Sequence, residues 1–328
     1  MQTIYPEKQG SMASIGQIHS YKLLKELTPG MHRHPVFLAT SESNNGVHTN
    51  PFVVLKAIPT NDDNIASFHN EKAISQLNPH PHLLRYTKMI EATKLNMKGY
   101  DSEYNLLVFP YLSNGDLFEY ISKSRFGEKI SRYYLEQIVS ALEYLHKNGL
   151  AHRDVKPENF LLDDRFNLVL TDFEHTTKHS IDSQPIIFRE VTSMTTPYIC
   201  PPEFFRGEGY EAQKMDAFAV GKLLVMMTTG IEPFEEAVST DLDFALILKG
   251  NWKAFWRKTE TSMKHQSIKS EPLSQEFKDL AQGLLHPDPN QRLTLSKAWE
   301  SAWFQNTVPK PQDDVQSFML KLSLTESE

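Results

Sequence analysis

The sequence predicts an α+β protein with a small, strand-rich N-terminal half and a larger, mostly helical C-terminal half. Short apolar and β-branched runs dominate up to about residue 110, whereas apolar residues at helical spacing dominate after Asn114-Gly115. A length of 328 residues is enough for one large domain or two smaller ones. We place the junction of the halves near residue 111, and such a junction is a usual place for a ligand-binding cleft.

The N-terminal half follows an aperiodic segment, residues 1–20, which we interpret as a flexible leader. Apolar and β-branched residues then predict strands, and proline closes two of them because it cannot donate a backbone hydrogen bond. One helix is predicted after residues 61–64 and ends at Pro79. The predicted strands are Tyr21–Leu27, Val36–Ala39, Phe52–Ile58 and Leu106–Phe109.

The C-terminal half is defined by helical periodicity. A second long apolar helix is predicted over residues 216–229 and ends at Gly230, and further helical segments run to residue 304. We interpret residues 306–328 as a short polar tail. The first long helix of this half ends near Gly149, and its apolar residues recur at intervals of four, four and three: Tyr134, Ile138, Leu142 and Leu145.

Composition and charge exclude several classes of protein. The 41 acidic residues outnumber the 34 basic ones, and the net charge of −7 disfavours a nucleic-acid-binding protein that depends on an overall positive field. Cys200 is the only cysteine, so neither an intrachain disulfide nor a cysteine zinc cluster can form. The chain shows no signal-peptide core and no apolar run long enough to cross a bilayer. We therefore expect a cytoplasmic protein with no membrane or nucleic-acid partner.

One segment carries the pattern of a catalytic site. It contains His152-Arg153-Asp154, with Lys156 two residues and Asn159 five residues after the aspartate. Asp172-Phe173-Glu174 begins 18 residues after Asp154. The run resembles the catalytic loop of protein kinases, and Asp-Phe-Glu stands where that family has Asp-Phe-Gly. An isolated His-Arg-Asp is a weak signal, whereas the four polar residues at this spacing are a specific one.

The resemblance covers about residues 21–305 and implies a bilobal protein-kinase-like fold. The N-lobe, about residues 21–110, would be a small antiparallel sheet with one key helix. The C-lobe, about residues 111–305, would be larger and mostly helical. The resemblance implies transfer of the γ-phosphate of ATP to protein hydroxyl groups with Mg²⁺ as the metal ion.

The resemblance also assigns roles to the motif residues. Asp154 would orient the substrate hydroxyl group, and Lys156 would place a positive charge beside the moving phosphoryl group. Asn159 would be the third catalytic residue. Asn159 and Asp172 would offer the oxygen ligands that Mg²⁺ prefers.

A second set of residues would bind the nucleotide. Lys56, in an apolar strand, resembles the lysine of the family's third strand, and Glu71 on the next helix is its expected partner. Pro110 would supply a carbonyl group to adenine, and Leu112 would supply both an amide and a carbonyl group. The other residues that the resemblance places at the nucleotide are Leu27, Val36, Val54, Asp116 and Leu161.

Regulation and substrate choice are implied by the segment that ends at Glu203. Thr196 matches the threonine typical of Ser/Thr kinases, and Glu203 with Arg292 matches a buried structural ion pair. Arg153 is predicted to bind a phosphate that an activating kinase adds to Thr192. Asp116 and Glu158 resemble acids that favour basic protein substrates.

The sequence most resembles the calcium/calmodulin-dependent kinase group in the segments 114–118 and 144–146. No EF-hand loop is present, so calcium control is not supported. No HExxH spacing supports a histidine-based metal hydrolase. A small-molecule kinase of related fold is a further alternative, but Thr196 points to protein substrates.

Three departures from the family leave a rival hypothesis open, and one of them is Ser75, a polar residue where the family usually has an apolar residue that packs toward Phe173. The glycine-rich loop keeps only Gly30, and we propose that His32, Arg33 and His34 replace its backbone contacts with side-chain charge. Glu174 replaces a glycine and is expected either to assist metal binding or to repel the phosphates. The protein is therefore either a Ser/Thr protein kinase or a pseudokinase that binds partners or nucleotide with little turnover.

Overall fold

A computed structural model describes residues 14–28, 34–41, 51–97, 100–181, 184–189, 196–265, 272–305 and 312–324. The chain divides into two units. The first comprises the chain up to Pro79 together with residues 83–115 and 172–174. The second comprises residues 80–82, 116–171 and the chain from His175 onward.

The first unit is built on a six-stranded antiparallel sheet with the strand order β1-β2-β3-β4-β6-β5. Its inward-facing apolar side chains, among them Leu23, Leu55 and Val108, form the core of the sheet. The register places Val36 opposite Lys56. The strands are β1 (Gly16–Ile18), β2 (Tyr21–Glu26), β3 (Val36–Ser41), β4 (Phe52–Pro59), β5 (Lys88–Met97) and β6 (Tyr100–Pro110).

One helix, α1 (Asp62–Ser75), packs against β4 in the first unit. Phe68 and Ile74 are buried on the helix, whereas Ile65 is 47% exposed. Glu71 is also buried, and a buried carboxylate is costly unless a cation or hydrogen-bond donor compensates it. The helix therefore carries an acid that needs a partner.

The second unit is mostly helical. Helix α5 (Ala212–Thr229), most of whose residues are buried, ends at Gly230, which adopts the left-handed conformation with φ 71°. A Cβ atom at Gly221 of that helix would lie 2.8 Å from the Cβ atom of Leu284, so only glycine permits this approach. The helices are α2 (Leu117–Lys123), α3 (Gly127–Lys147), α4 (Pro202–Phe205), α5 (Ala212–Thr229), α6 (Leu242–Leu248), α7 (Trp252–His265), α8 (Gln275–Leu284), α9 (Leu295–Trp299), α10 (Ala302–Gln305) and α11 (Gln312–Leu324).

Short antiparallel strand pairs and two 3₁₀ turns, Pro157–Asn159 and Pro197–Ile199, hold the loops of the second unit. None of the helices in the described ranges is long and apolar enough to span a membrane. The paired strands are β7 (Leu150–Ala151) with β10 (Thr177–Lys178), β8 (Phe160–Leu162) with β9 (Leu168–Leu170), β11 (Ser180–Ile181) with β12 (Gln184–Pro185), and β13 (Ile187–Phe188) with β14 (Tyr210–Glu211).

Both ends of the chain carry more structure than the sequence analysis predicted. Strand β1 lies within the predicted leader, residues 1–20, and pairs with β2. Helix α11 lies within the predicted polar tail, residues 306–328, and packs against α2. Val315 and Met319 of α11 are buried, because this helix presents an apolar face to its own unit.

Candidate active site

The side chain of Lys56 is the centre of a charge cluster in the first unit. Its Nζ atom lies 3.1 Å from Glu71 Oε1, 2.8 Å from Asp172 Oδ1 and 2.5 Å from Glu174 Oε1. Only 12% of the lysine side chain is exposed. Burial lowers the pKa of Lys56, but the three carboxylates outweigh burial and raise it well above its usual value. Lys56 is therefore an ammonium ion, and its predicted contact with Glu71 is confirmed.

Glu71 is held from its other side by Tyr86, whose hydroxyl group donates a hydrogen bond to Oε2. Burial raises the pKa of Glu71, and Lys56 and Tyr86 oppose that effect. The Tyr86 ring packs edge-on against Phe109, with centroids 6.1 Å apart. Tyr86 is a functional candidate that the sequence analysis missed, because a tyrosine after a helix carries no motif of its own.

Asp172 adopts a left-handed backbone conformation with φ 61°, which is uncommon for a residue other than glycine. Its side chain is 36% exposed, and Oδ1 is the oxygen that pairs with Lys56. Carboxylate oxygens of Glu71, Asp172 and Glu174 lie within 4.8 Å of one another. The donor atoms at Asp172 are therefore of the kind that suits Mg²⁺.

Glu174 is buried and fixed by three contacts. Besides Lys56, its Oε2 atom lies 3.3 Å from Nε2 of His34, and its carbonyl oxygen accepts a hydrogen bond of 2.7 Å from Asn70 Nδ2. Burial would raise the pKa of Glu174, but Lys56 and His34 hold it well below its usual value. His34 therefore faces a protein carboxylate, contrary to the predicted role at a phosphate. His32 and Arg33, predicted for the same role, lie outside the described residues.

The second unit contains the residues of the catalytic-loop motif. Asp154 is buried and lies 2.7 Å, through Oδ2, from Lys156 Nζ. Thr196 Oγ1 donates to Asp154 Oδ1 over 2.7 Å and accepts from Lys156 Nζ over 3.1 Å. Asn159 Nδ2 donates to both Oδ2 and the carbonyl oxygen of Asp154. The four residues thus form one hydrogen-bonded group.

This group keeps Asp154 ionised. Burial would raise the pKa of Asp154, but Lys156 and Thr196 lower it below its usual value. The side-chain nitrogen of Asn159 already donates to Asp154, so the side-chain oxygen is the atom suited to a metal ion. A buried, ionised carboxylate beside a lysine is equipped to accept a hydrogen bond from an alcohol.

Helix α5 anchors the loop through Asp216. Its carboxylate accepts the backbone amides of His152, over 2.9 Å, and Arg153, over 2.8 Å. His146 Nε2 contacts the same carboxylate over 2.8 Å. These two successive backbone amides explain how a buried acid fixes the loop.

The residues predicted for the nucleotide occupy defined positions in the two units. In the first unit, Val54 is buried and pairs with Phe109 across β4 and β6, and the Leu27 amide donates to the Val36 carbonyl over 2.7 Å. Pro110 is the exposed last residue of β6. Within the described part of the chain, neither backbone hydrogen-bonding group of Leu112 has a protein partner.

In the second unit, Asp116 is buried and caps α2 by accepting the Glu119 amide over 3.0 Å. Asp116 also forms a β-bridge with Leu161, which lies partly exposed on β8. Burial raises the pKa of Asp116. Because its carboxylate serves as a helix cap, the structure supports a local structural role for this acid.

Arg153 contacts aromatic side chains. Its Nη2 atom donates to the Tyr210 hydroxyl over 2.8 Å, and its guanidinium group lies 5.0 Å from the ring centroid of Phe188. The predicted phosphate acceptor, Thr192, lies outside the described residues.

Two buried contacts fix the end of the segment that runs to Glu203. Glu203 and Arg292 form the predicted ion pair, with two parallel contacts of 2.7 and 2.8 Å. Cys200 is fully buried, and its thiol donates to the Thr196 carbonyl over 3.4 Å. Burial raises the pKa of the Cys200 thiol to about 12.

The fold and these two groups of side chains agree with the comparisons with known proteins. The family model described as the protein kinase domain matches residues 39–304. The chain belongs to the protein kinase domain family. It is 29% identical to CBL-interacting serine/threonine-protein kinase 20 of Arabidopsis thaliana over 247 residues. This match covers 75% of this chain and 50% of the relative.

A second relative is CBL-interacting protein kinase 26 of Oryza sativa subsp. japonica. It is 30% identical over 237 residues, which cover 72% of this chain and 43% of the relative. CBL-interacting protein kinase 28 of the same species is 28% identical over 238 residues, which cover 73% of this chain and 48% of the relative. The chain thus spans about half the length of the relatives it matches.

Proposed function

We propose that the protein is a Ser/Thr protein kinase that transfers the γ-phosphate of ATP to protein hydroxyl groups. The observation that carries this proposal is the hydrogen-bonded group of Asp154, Lys156, Asn159 and Thr196. Membership of the protein kinase family and the Ser/Thr kinases among the relatives support it.

One set of residues would bind the substrate hydroxyl group, which accepts the phosphoryl group, and another would bind ATP, which donates it. Asp154 would accept a hydrogen bond from the substrate hydroxyl, and Lys156 would neutralise charge on the transferred group. Lys56, positioned by Glu71, would bind the nucleotide phosphates. Asp172 and Asn159 would hold Mg²⁺, which neutralises phosphate charge during transfer. The remaining nucleotide contacts would come from Leu27, Val36, Val54, Pro110, Leu112, Asp116 and Leu161.

One observation favours a second candidate, a pseudokinase that binds nucleotide or partners with little turnover. Glu174 lies 2.5 Å from the Lys56 ammonium group, where it competes with a phosphate for that charge.

We further propose a cytoplasmic location and an activating kinase that acts on Thr192.

The deciding experiment measures transfer of labelled phosphate from Mg²⁺-ATP to a generic basic protein by the wild type and by Asp154→Asn. We expect the substitution to lower the rate at least about 100-fold, because it removes the charge that orients the hydroxyl group. Equal signals from the two proteins would contradict intrinsic catalysis. Nucleotide binding by both without transfer would support the pseudokinase.

A further inference from the structure

The hydroxyl group of Tyr198 donates a hydrogen bond to the carboxylate of Glu158. Tyr198 donates to Oε2 over 3.0 Å and lies 3.3 Å from Oε1. Glu158 is an exposed acid, and among the described residues no lysine or arginine forms an ion pair with it. The tyrosine hydroxyl is thus the partner of an acid that would otherwise attract a cation from solution.

Glu158 and Tyr198 are close in sequence to Asp154 and Thr196, which belong to the group that would bind the substrate hydroxyl. Glu158 follows Asp154 by four residues in the turn Pro157–Asn159, and Tyr198 follows Thr196 by two. The Thr196 hydroxyl is bonded to Asp154. A substrate hydroxyl must come within about 3 Å of Asp154, and an extended chain advances about 3.3 Å per residue. Asp154 lies near enough to Tyr198 to help raise the pKa of its hydroxyl group, so residues next to the acceptor would pass Tyr198 and its partner Glu158.

Tyr198 is fixed in place by a buried lysine of α5. Lys222 Nζ donates to the Tyr198 carbonyl over 2.7 Å, and it lies 5.0 Å from the centroid of the tyrosine ring. Lys222 is itself held by the Glu235 carbonyl, over 3.0 Å, and by Glu232. Burial and the neighbouring Glu158 raise the pKa of Tyr198, so its hydroxyl group remains a hydrogen-bond donor. Lys222 is a positioning residue for this contact.

We propose that Tyr198 is a specificity-determining residue: by satisfying Glu158, its hydroxyl group removes the selection for lysine or arginine beside the acceptor and favours substrates with uncharged residues there. A guanidinium group that engages both carboxylate oxygens must displace the tyrosine hydroxyl. The second acid predicted to select basic substrates, Asp116, is used as a helix cap. The inference rests on the proposed kinase activity and defines its substrate class.

The test uses serine peptides in which each of three positions on either side of the acceptor is set in turn to Arg or Ala. For each position, kcat/KM of the Arg peptide is divided by that of the Ala peptide. The wild type is expected to give ratios near one. Tyr198→Phe is expected to raise the ratio about tenfold at one or more positions, through a lower KM, because a charge-assisted contact becomes available.

Two further variants keep the test specific. The double variant Tyr198→Phe, Glu158→Gln should not show the increase in the Arg-to-Ala ratio. Glu158→Gln alone should give ratios within about twofold of the wild type. Tyr133→Phe removes a tyrosine hydroxyl that bonds Asn167 and should leave the ratios unchanged. Thermal unfolding of each variant checks that it is folded.

Unchanged ratios in Tyr198→Phe would overturn the proposal, as would a gain that survives in the double variant. A loss of Arg preference on Glu158→Gln alone would also overturn it, since Glu158 would then already select cations. If no variant phosphorylates any peptide above the Asp154→Asn background, the proposed kinase activity fails, and this inference fails with it.

Discussion

Glu174 Oε1 lies 2.5 Å from Lys56 Nζ, nearer than either Asp172 or Glu71. Glycine stands at this position in the motif that the sequence resembles, so this chain adds a third carboxylate to the lysine. Because a phosphate would need the same lysine charge, we expect Glu174 to affect nucleotide binding.

Replacing Glu174 by glutamine is expected to strengthen nucleotide binding. The substitution keeps the shape of the side chain but removes the charge that competes with phosphate for Lys56. We expect the Kd for Mg²⁺-ADP, measured by titration calorimetry, to fall about fivefold. Glu91→Gln, which removes a carboxylate from an exposed pair with Lys72, is the matched control and should leave the Kd unchanged. A higher Kd for Glu174→Gln would mean that the acid assists metal binding.

The same acid makes stability depend on pH. Since the pKa of Glu174 is lowered in the folded protein, its contribution is fully present above the unfolded-state value of about 4.3 and is lost as pH falls through the folded-state value. The difference in Tm between the wild type and Glu174→Gln should be constant between about pH 6 and 8 and should shrink below about pH 4. A difference that grows on acidification would contradict this sign.

The hydroxyl group of Thr196 is expected to support turnover. It bridges Asp154 and Lys156, and Thr196→Val leaves both without this partner. We expect kcat to fall about 10- to 30-fold, with little change in the KM for ATP, because one hydrogen bond to a charged group is lost. Thr196→Ser keeps the hydroxyl group and should retain most of the rate in the same steady-state assay. Equal losses in both variants would rule out a role for the hydroxyl.

The ion pair of Glu203 and Arg292 is expected to stabilise the second unit. Arg292→Lys cannot reproduce the two parallel contacts and leaves a buried carboxylate poorly compensated. We expect the free energy of unfolding, measured in denaturant, to fall by about 3 kcal/mol. Arg206→Lys, in an exposed pair with Glu208, makes the same chemical change and should cost less than about 0.5 kcal/mol. Similar losses at both positions would contradict this view.

The resemblance to protein kinases predicted the parts of the candidate site that belong to the family's motifs. Lys56 and Glu71 meet because a strand and the helix after it bring them together. The contacts of Tyr86 and Tyr198 depend on side chains that are distant in the chain and carry no motif. They could not be predicted without the fold.

The C-terminal helix α11 is a different case, because its signal was present in the sequence. Val315, Phe318, Met319 and Leu322 recur at intervals of three, one and three, which is the spacing of one helix face. Short length and polar neighbours obscured that pattern. Phe318 packs edge-on against Phe126, with ring centroids 5.8 Å apart, and this contact fastens the apolar face of the helix to its unit.

The environment of Cys200 has a practical consequence for biophysical work. It is the only cysteine in the chain, its side chain is shielded from solvent, and a pKa raised to about 12 keeps it as an unreactive thiol at neutral pH. The wild-type chain is therefore a ready background for maleimide chemistry. A fluorophore or spin label attached to one newly introduced surface cysteine would report on that position alone.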